Sequence, residues 1–388
     1  MYVTRPLSLY TKSPDLLSEK PPEGPSSGYL VVQDDESMIP TCFGLSKSLS
    51  IKEFPLPSNR IISFGYVDTE DEVFAIPVID QPLSANRYYL IKAHQKHKGE
   101  AYACSKDEDK GISCGRSYIQ DKKPRPLDPE DIYQQFEFST ATTCSNKKGF
   151  SAKSIASDGY LPKFIRTKSP LLIQRSFRTS KDFIQLEAHG LNSSLRGQLP
   201  DFNFPLSRES SLTVCVGTWL CPFVFVHEVK LEDPVKNSVY YSMSLEQRWQ
   251  RIYTHDASHS LGNKVMVDVV VPTHVVALYG KDAVIDETKS DPKVTWFTPM
   301  GSSGEQFGVG LNHLIIERMV WEQKRVGWAS RKERELRVVR EEEYGGIGWW
   351  ARFGCYVLVE RFVVRRMDGS LVLTCDFMHT HEIKTKWE

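Results

Sequence analysis

Apolar and polar residues alternate with a period of two along most of this chain, and this pattern predicts short β-strands. In the first part of the chain the strand-like runs are RIISFGYV, EVFAIPVI and NRYYLIKA, each bounded by Gly, Pro, Asn or Asp. Later runs of the same kind are LTVCVGTWLCPFVFVHEV, KVMVDVVVPTHVVALYG, KVTWFTPM and LIIERMVWEQ. We therefore expect a mainly β fold of sandwich-like sheets with a few short helices, and an α+β fold is the alternative.

Helix start signals interrupt the strand pattern at four places. Helices are expected after Ser13, after Asp128, between Ser180 and Gly190, and after Ser244. The last of these has a capping box formed with Gln247, and it places Leu245, Trp249, Ile252 and Tyr253 on one helical face.

The end of the chain predicts a β-hairpin. Two long runs of β-branched and apolar residues flank Asp368-Gly369, a pair that is typical of two-residue turns. A turn at these two residues fixes the register of the strands. It places Arg366 opposite Leu371, Val364 opposite Leu373, Phe362 opposite Cys375, Arg361 opposite Asp376, Leu358 opposite His379, and Tyr356 opposite His381.

The chain has 388 residues, a length at which a second domain is expected. We divide it into a β-rich domain at 1–140, a basic linker or helical segment at 141–205, and a β-rich domain at 206–388 that ends in the hairpin. The boundaries follow a small, polar and aperiodic stretch that begins at Ser139 and predicts a loop.

Composition restricts the location and the partners. Lys plus Arg and Asp plus Glu number 49 each, so no global charge attracts the protein to nucleic acid or to a membrane. The N-terminus lacks an apolar signal segment, and no apolar run is long enough to span a bilayer. The eight cysteines form no tight framework, which in a chain of this length without a signal segment is typical of reduced thiols. They include no CxxC pair, which argues against a zinc knuckle or a thioredoxin-like motif. We expect a cytoplasmic or nuclear protein.

A local excess of positive charge lies between Phe138 and Lys181. This stretch has nine basic residues and one acid, with aromatic residues interleaved. The candidate anion- or partner-binding residues in it are Lys147, Lys148, Lys153, Lys163, Arg166, Lys168, Arg175 and Arg178. Such a segment favours an acidic protein partner or an anionic ligand, with nucleic acid as the alternative. The plainer interpretation is a solvated loop whose charges pair with nearby acids.

Histidines suggest one further chemistry, a metal site. His379 and His381 share one face of the predicted terminal strand, and two imidazoles at that spacing can bind one zinc ion. A third ligand would come from His313, His255 or His259. The pair His255 and His259 has the spacing of metalloprotease helices, but Asp256 stands where those have Glu. The plainer interpretation is a polar strand end, and no cofactor is predicted apart from this zinc hypothesis.

Several segments together resemble a plant-restricted family known as domain of unknown function 1262. They are MYVTRPLSLY, PPEGPSSGYLVVQD, QPLSANRYYLIK, DIYQQFEF, VGTWLCPF, ERMVWEQKRVGW and FGCYVLVERFVVRRMDGSLVLT. The resemblance covers nearly the whole chain. It implies a plant protein, cytosolic or nuclear and linked to stress or defence, and it supplies no catalytic residues.

Three functional hypotheses follow from the sequence. The first is a non-enzymatic interaction or anionic-ligand-binding protein that uses the basic and aromatic segment. The second is a metal-dependent hydrolase that uses the C-terminal histidines, and the third is a nucleic-acid-associated protein. No nucleophile motif or phosphate-binding loop is present to favour an enzyme.

Overall fold

The computed structural model describes residues 1–37, 40–41, 46–47, 50–64, 72–113, 116–142, 148–166, 170–176, 187–231, 233–257, 263–301, 307–329 and 334–388. The fold is mainly β, as predicted. The chain forms two compact units. The first contains Met1–Glu187, Leu220–Val224 and Asp233–Tyr240, and the second contains Ala188–Trp219, Phe225–Glu232 and Tyr241–Glu388.

The first unit contains most of the early strands. They are β1 Tyr2–Pro6, β2 Gly28–Val32, β3 Pro40–Thr41, β4 Ser46–Lys47, β5 Ser50–Ile51, β6 Ile61–Phe64, β7 Glu72–Pro77, β8 Arg87–Lys92, β9 Lys110–Ser113, β10 Arg116–Ile119, β11 Gln135–Thr142, β12 Lys148–Ser154 and β13 Ile173–Arg175. One sheet has the order β12-β11-β8-β7-β6-β13-β5, and β9 pairs with β10 as a separate hairpin. Phe64 and Phe138 stack at 5.7 Å between ring centroids in the core of this unit.

The strands after residue 187 include the longest in the described part of the chain. They are β14 Gly190–Leu191, β15 Val214–Pro222, β16 Val226–Glu228, β17 Tyr240–Asp256, β18 Lys264–Pro272, β19 His274–Leu278, β20 Lys281–Ile285, β21 Val294–Pro299, β22 Val309–Asn312, β23 Glu335–Glu343, β24 Arg352–Arg366 and β25 Leu371–Trp387. In the second unit the main sheet runs β16-β22-β21-β20-β19-β25-β24-β17-β15, and β18 pairs with β23 as a separate ribbon.

The helices are short. The α-helices are α1 Leu7–Lys12, α2 Lys163–Arg166, α3 Ser193–Gln198, α4 Pro234–Asn237 and α5 His313–Lys324. The 3-10 helices are Pro14–Ser18, Asp35–Ser37, Leu83–Ala85, Asp107–Asp109, Ile132–Gln134 and Phe223–Phe225. A short helix therefore follows Ser13, as expected, although it is of the 3-10 type. The helix predicted between Ser180 and Gly190 falls mostly on residues outside the described ranges, and Gly190 itself begins β14.

Two predictions in the first unit were wrong. The helix expected after Asp128 is only the 3-10 turn Ile132–Gln134, because the chain continues as β11 with alternate Phe136 and Phe138 buried in the core. The polar stretch from Ser139 was expected to be a loop, but its described residues belong to β11, up to Thr142, and to β12, from Lys148. Strand β11 crosses the predicted boundary at 140, and the second unit begins at Ala188, inside the predicted segment 141–205.

Two predictions in the second unit were also wrong. The helix expected after Ser244 is strand β17, in which Met243, Leu245 and Trp249 are buried at a period of two. The strand expected at LIIERMVWEQ is helix α5, whose buried residues Ile315, Met319 and Glu322 recur at helical spacing. Its N-cap is Asn312, whose Oδ1 accepts a hydrogen bond from the Leu314 amide at 3.1 Å.

The terminal hairpin is confirmed as β24 paired with β25. Four predicted pairs are present, namely Val364 with Leu373, Phe362 with Cys375, Arg361 with Asp376, and Leu358 with His379. The turn differs from the prediction, because only Gly369 has a left-handed φ, of 84°, and Arg365 pairs with Leu371. A three-residue connection with glycine at the left-handed position explains this shift.

The predicted pairing of Tyr356 with His381 was wrong. Val357 pairs with Ile383 while its neighbour Leu358 pairs with His379, so β25 has three extra residues, 380–382, at a bulge. Tyr356 consequently pairs with Lys384.

Candidate functional site

One face of the second unit's main sheet has both apolar and charged groups and is covered by α5. Cross-strand pairing aligns Gln247 with Glu360, Glu360 with Phe377, and Leu358 with His379 on this face. The Gln323 side chain of α5 contacts Glu360 and His379, and Met319 lines a cavity beside Phe377. Two cavities are lined by residues of this face.

The first cavity, which we call the apolar cavity, has a volume of about 520 Å³. This volume is in the range of about 300–1,000 Å³ that is usual for small-molecule sites. Its wall comes from strands β19, β20, β21 and β25 and from helix α5. The main apolar lining residues are Val276, Ala283, Val284, Ile285, Phe297, Met300, Ile316, Met319, Val320, Trp328, Cys375 and Phe377.

Aromatic packing shapes one wall of the apolar cavity. Phe377 is buried, with its ring centroid 4.7 Å from His274 and 5.0 Å from Trp328. The Trp328 indole N–H donates a hydrogen bond to the Thr273 carbonyl oxygen at 3.3 Å. These contacts hold the three rings in fixed orientations, so this wall is preorganised for an apolar surface.

The titratable groups inside the apolar cavity are uncharged near neutral pH. His274 is exposed at the start of β19, but desolvation by the groups packed around its ring lowers its pKa, and the charge of Asp376 only partly opposes this. Burial raises the pKa of the Cys375 thiol well above its usual range. The cavity lining also includes two exposed, charged residues, Arg334 and Asp282.

The second cavity, which we call the polar cavity, has a volume of about 360 Å³. Its lining mixes polar and apolar side chains. The lining residues are Leu191, Ser193, Arg196, Gly197, Leu199, Gln247, Arg325, Val326, Leu358, Glu360, His379 and Glu382.

Glu360 is the centre of a buried network beside the polar cavity. Its carboxylate accepts hydrogen bonds from Arg196 Nε at 2.8 Å and Nη2 at 2.5 Å, and from the side-chain amides of Gln247 and Gln323, each at 2.8 Å. Burial alone would raise the pKa of Glu360, but the Arg196 hydrogen bonds and charge hold it below the usual value. The carboxylate therefore stays ionised.

A second buried carboxylate completes the network. Glu322 on α5 accepts hydrogen bonds from Arg196 at 3.1 Å and from Arg318 at 2.9 Å, and it forms an ion pair with Arg325 at 3.6 Å. Arg196, Arg318 and Glu322 are all at most 5 % exposed. Removing one partner from such a group usually lowers the free energy of unfolding by about 3–5 kcal/mol, because the other charge is left buried and unpaired.

His379 belongs to this network. It is 1 % exposed, and its Nε2 lies 2.8 Å from Gln323 Oε1. Burial lowers the pKa of His379 to about 4, although the charge of Glu360 opposes the shift. The imidazole is therefore neutral at pH 7.

Of the proposed metal ligands, His379 and His381 lie together, with ring centroids 5.4 Å apart, and no third ligand joins them in the part of the chain that the structure describes. His381 is exposed, and its Nε2 lies 3.0 Å from the Val326 carbonyl oxygen. His313 begins α5, and His255 contacts Trp350 near the end of β17. No group of three or more His, Cys, Asp or Glu side chains that can hold a metal ion occurs among the described residues. His259 lies outside these residues.

The candidate basic residues that the structure describes lie on several different elements of the first unit. Lys148 is exposed on β12, Lys153 pairs with Glu137 at 2.6 Å, and Arg175 is half-buried on β13. Lys147, Lys168 and Arg178 lie outside the described residues.

Two of the basic residues do lie together. Lys163 and Arg166 line a cleft of about 460 Å³ in the first unit with Lys110, Tyr118 and Ile119, and we call it the basic cleft. Arg166 forms an ion pair with Asp121 at 3.4 Å, and Lys110 forms one with Asp107 at 2.7 Å. Nearby carboxylates therefore partly neutralise the cleft.

The sequence hypotheses missed most residues of both cavities. Glu360 lies inside the apolar run YVLVERFVV, and Gln247 lies between the inward-facing apolar residues Leu245 and Trp249 of β17. A polar residue at an inward position of a buried strand indicates a partner, because burying it alone is unfavourable. That signal could have identified both residues. The partners Arg196, Arg318 and Gln323 come from distant segments and carry no such signal.

Residues 23–115 match a family described as "Protein of unknown function (DUF1262)", which indicates an uncharacterised domain family. No curated protein matches the chain. Among solved structures, one titled "Crystal structure of Cry35Ab1" is similar with a TM-score of 0.46 at 10 % identity, covering 86 % of this chain and 90 % of that chain. A similarity this low does not assign a function.

Within the described ranges, no helix has both the length and the apolar character needed to cross a bilayer.

Proposed function

We propose that this protein is a non-enzymatic ligand-binding protein that takes a small, mainly apolar molecule into the apolar cavity. The observation that carries the proposal is the cavity itself, about 520 Å³ in volume, with an aromatic wall of His274, Phe377 and Trp328. The high pKa of Cys375 favours binding over catalysis, because a buried thiol is a poor nucleophile. An acidic group on the ligand would be attracted by Arg334 at the cavity lining.

Two fluorescent probes test this proposal. Anilinonaphthalene sulfonate is apolar and anionic, whereas N-phenylnaphthylamine is apolar and neutral. Both are expected to bind the native protein. Ala283→Trp should weaken both by about tenfold or more, because the indole would fill the cavity. Arg334→Gln should weaken only the anionic probe, since the neutral probe has no charge to lose.

The matched control is Val339→Trp, which adds the same side chain at an exposed position on β23 that does not line the cavity. It should bind both probes like the native protein. An equal loss of probe affinity in Ala283→Trp and Val339→Trp would contradict the proposal. So would the absence of probe binding by the native protein.

An anion-binding function of the basic cleft is a second candidate. It is supported by the side chains of Lys110, Lys163 and Arg166 beside the half-exposed ring of Tyr118. Titration with pyrophosphate tests it, and heat of binding that is unchanged in Lys163→Glu would contradict it. The metal-dependent hydrolase remains the weakest candidate, since the described residues supply no third ligand for His379 and His381.

The biological setting is proposed on the resemblance of the quoted segments and on the match over residues 23–115. The resemblance implies a plant protein of the cytoplasm or nucleus with a role in stress or defence, and the match supports only an uncharacterised domain family. Imaging of the tagged chain in plant cells tests the location, and a signal confined to the secretory pathway would contradict it.

A further inference from the structure

The hydrogen bonds of the buried network define which atoms of Gln323 and His379 donate. The Glu360 carboxylate can only accept, so the Gln323 group that lies 2.8 Å from it must be the amide NH₂. The Gln323 carbonyl oxygen then faces His379 Nε2, also at 2.8 Å, and must accept from it. His379 therefore carries its proton on Nε2, and its Nδ1 has a bare lone pair.

Gln247 follows the same logic. Its NH₂ group donates to Glu360 at 2.8 Å, which leaves its Oε1 as an acceptor. Both Gln247 Oε1 and His379 Nδ1 are buried, and neither has a hydrogen-bond partner among the described residues. Gln247 is 2 % exposed and His379 is 1 % exposed, and both residues line the polar cavity. Buried acceptors are nearly always satisfied in folded proteins, so these two require donors.

The charges of the polar cavity indicate what kind of donor fits. Arg196 and Arg318 together balance the charges of Glu360 and Glu322, and the further lining charges are one of each sign, Arg325 and Glu382. No excess negative charge is present to hold an ammonium group. Leu191, Leu199 and Leu358 add apolar surface to the same lining. Alternating hydroxyl donors and apolar C–H surface are the chemistry of a sugar or polyol.

We propose that the polar cavity is a binding site for a neutral polyhydroxylated molecule, whose hydroxyl groups donate to His379 Nδ1 and Gln247 Oε1. This site is separate from the apolar cavity, and its existence does not depend on the function proposed above. The fixed orientation of His379 and Gln247 by Gln323 and Glu360 gives the two acceptors a defined spacing before the ligand arrives.

Gly197 offers a way to block the site without disturbing the network. A Cβ atom at this residue of α3 meets no atom within 4 Å, and Gly197 lines the polar cavity. Gly197→Phe should therefore fold and fill the cavity. Gly345→Phe is the matched control, because a Cβ atom there also meets nothing within 4 Å and Gly345 lies outside the cavity lining.

The experiment uses the full chain with isotope-labelled histidine and the neutral probes D-glucose, sucrose and myo-inositol. We expect the His379 Nδ1 NMR signal, assigned by its loss in His379→Gln, to move on titration with at least one probe. Saturation transfer to that probe should persist in Gly345→Phe and fall by about tenfold in Gly197→Phe. If Gly197→Phe lacks the NMR spectrum of a folded protein, the same test is made with Gly197→Leu.

Three outcomes would overturn the proposal. The first is an Nδ1 signal that no probe moves at concentrations up to tens of millimolar. The second is saturation transfer that is equal in Gly197→Phe and Gly345→Phe, which would indicate adventitious surface binding. The third is a response to putrescine and to no sugar or polyol, which would replace a hydroxyl ligand with an ammonium ligand.

Discussion

At the scale of single residues, His379 shows how packing changes the chemistry of a side chain. The sequence placed it two residues from His381 and suggested that both face a shared metal ion. In the structure the two side chains differ, because His379 is buried against Gln323 while His381 is exposed and contacts the Val326 carbonyl oxygen. Spacing along a strand predicts a shared face, but it cannot predict that a helix covers only one of the two residues.

The burial of His379 predicts a dependence of stability on pH. Its pKa is about 4 in the folded protein and 6.5 as the ordinary value, so between these values the unfolded chain binds a proton that the folded chain does not. Stability is therefore complete above about pH 6.5 and falls as the pH falls towards 4. Urea unfolding should show that His379→Gln removes about 2 kcal/mol of the stability lost between about pH 7 and pH 5.

His381→Gln is the control for this measurement, since its side chain is exposed. It should keep the pH dependence of the native protein. A His379→Gln variant with the native pH dependence would show that this imidazole is not held neutral in the folded state.

At the scale of elements, the terminal hairpin was predicted well, whereas strand β17 was predicted as a helix. Arg361 faces Asp376 as predicted, and the two form a bidentate ion pair with N–O distances of 2.5 and 2.7 Å. By contrast, Ser244 and Gln247 match a capping box by coincidence, because burial of every second residue makes this segment strand β17. Strand β17 gains its partner from β24, more than one hundred residues away, and no local pattern contains that information.

Gly369 gives a prediction at this scale. Its φ of 84° lies in the left-handed region, where a side chain costs about 1–2 kcal/mol. Gly369→Ala should lower the free energy of unfolding by about that amount in a urea titration. Gly345→Ala, where an added Cβ meets no atom within 4 Å, should cause no loss. An equal change in the free energy of unfolding for the two substitutions would contradict the left-handed conformation of Gly369 in the turn.

At the scale of the whole molecule, the fold class was predictable and the functional sites were not. Period-two patterns in every part of the chain establish a mainly β protein. The cavities need side chains from several strands and one helix, such as Phe377 from β25, Phe297 from β21 and Met319 from α5. Helix α5 was itself predicted as a strand, so the element that covers the site was missing from the sequence hypothesis.

Because the whole chain has no net charge, its affinity for an anionic partner should depend on local groups of charged side chains. With 49 basic and 49 acidic residues, binding of an anion should depend on a few side chains in the basic cleft. Lys163→Glu should abolish pyrophosphate binding measured by calorimetry, whereas Lys148→Glu, exposed on β12 outside the cleft, should retain it. Equal losses in both variants would indicate diffuse attraction by the surface instead of a site.

The three extra residues at 380–382 have a consequence for the whole terminal strand. Because three is an odd number, the bulge reverses which residues of β25 point to each face of the sheet. Up to His379 the odd-numbered side chains lie on the face of His379, and from Ile383 onwards the even-numbered side chains lie on that face. Lys384 accordingly lies over the Trp249 ring at 4.6 Å, while Ile383 and Trp387 pack with Phe353 and Cys355 on the opposite face. Because of the bulge, the end of β25 places Lys384 against Trp249 on one face of the sheet and Ile383 and Trp387 in an apolar cluster on the other face.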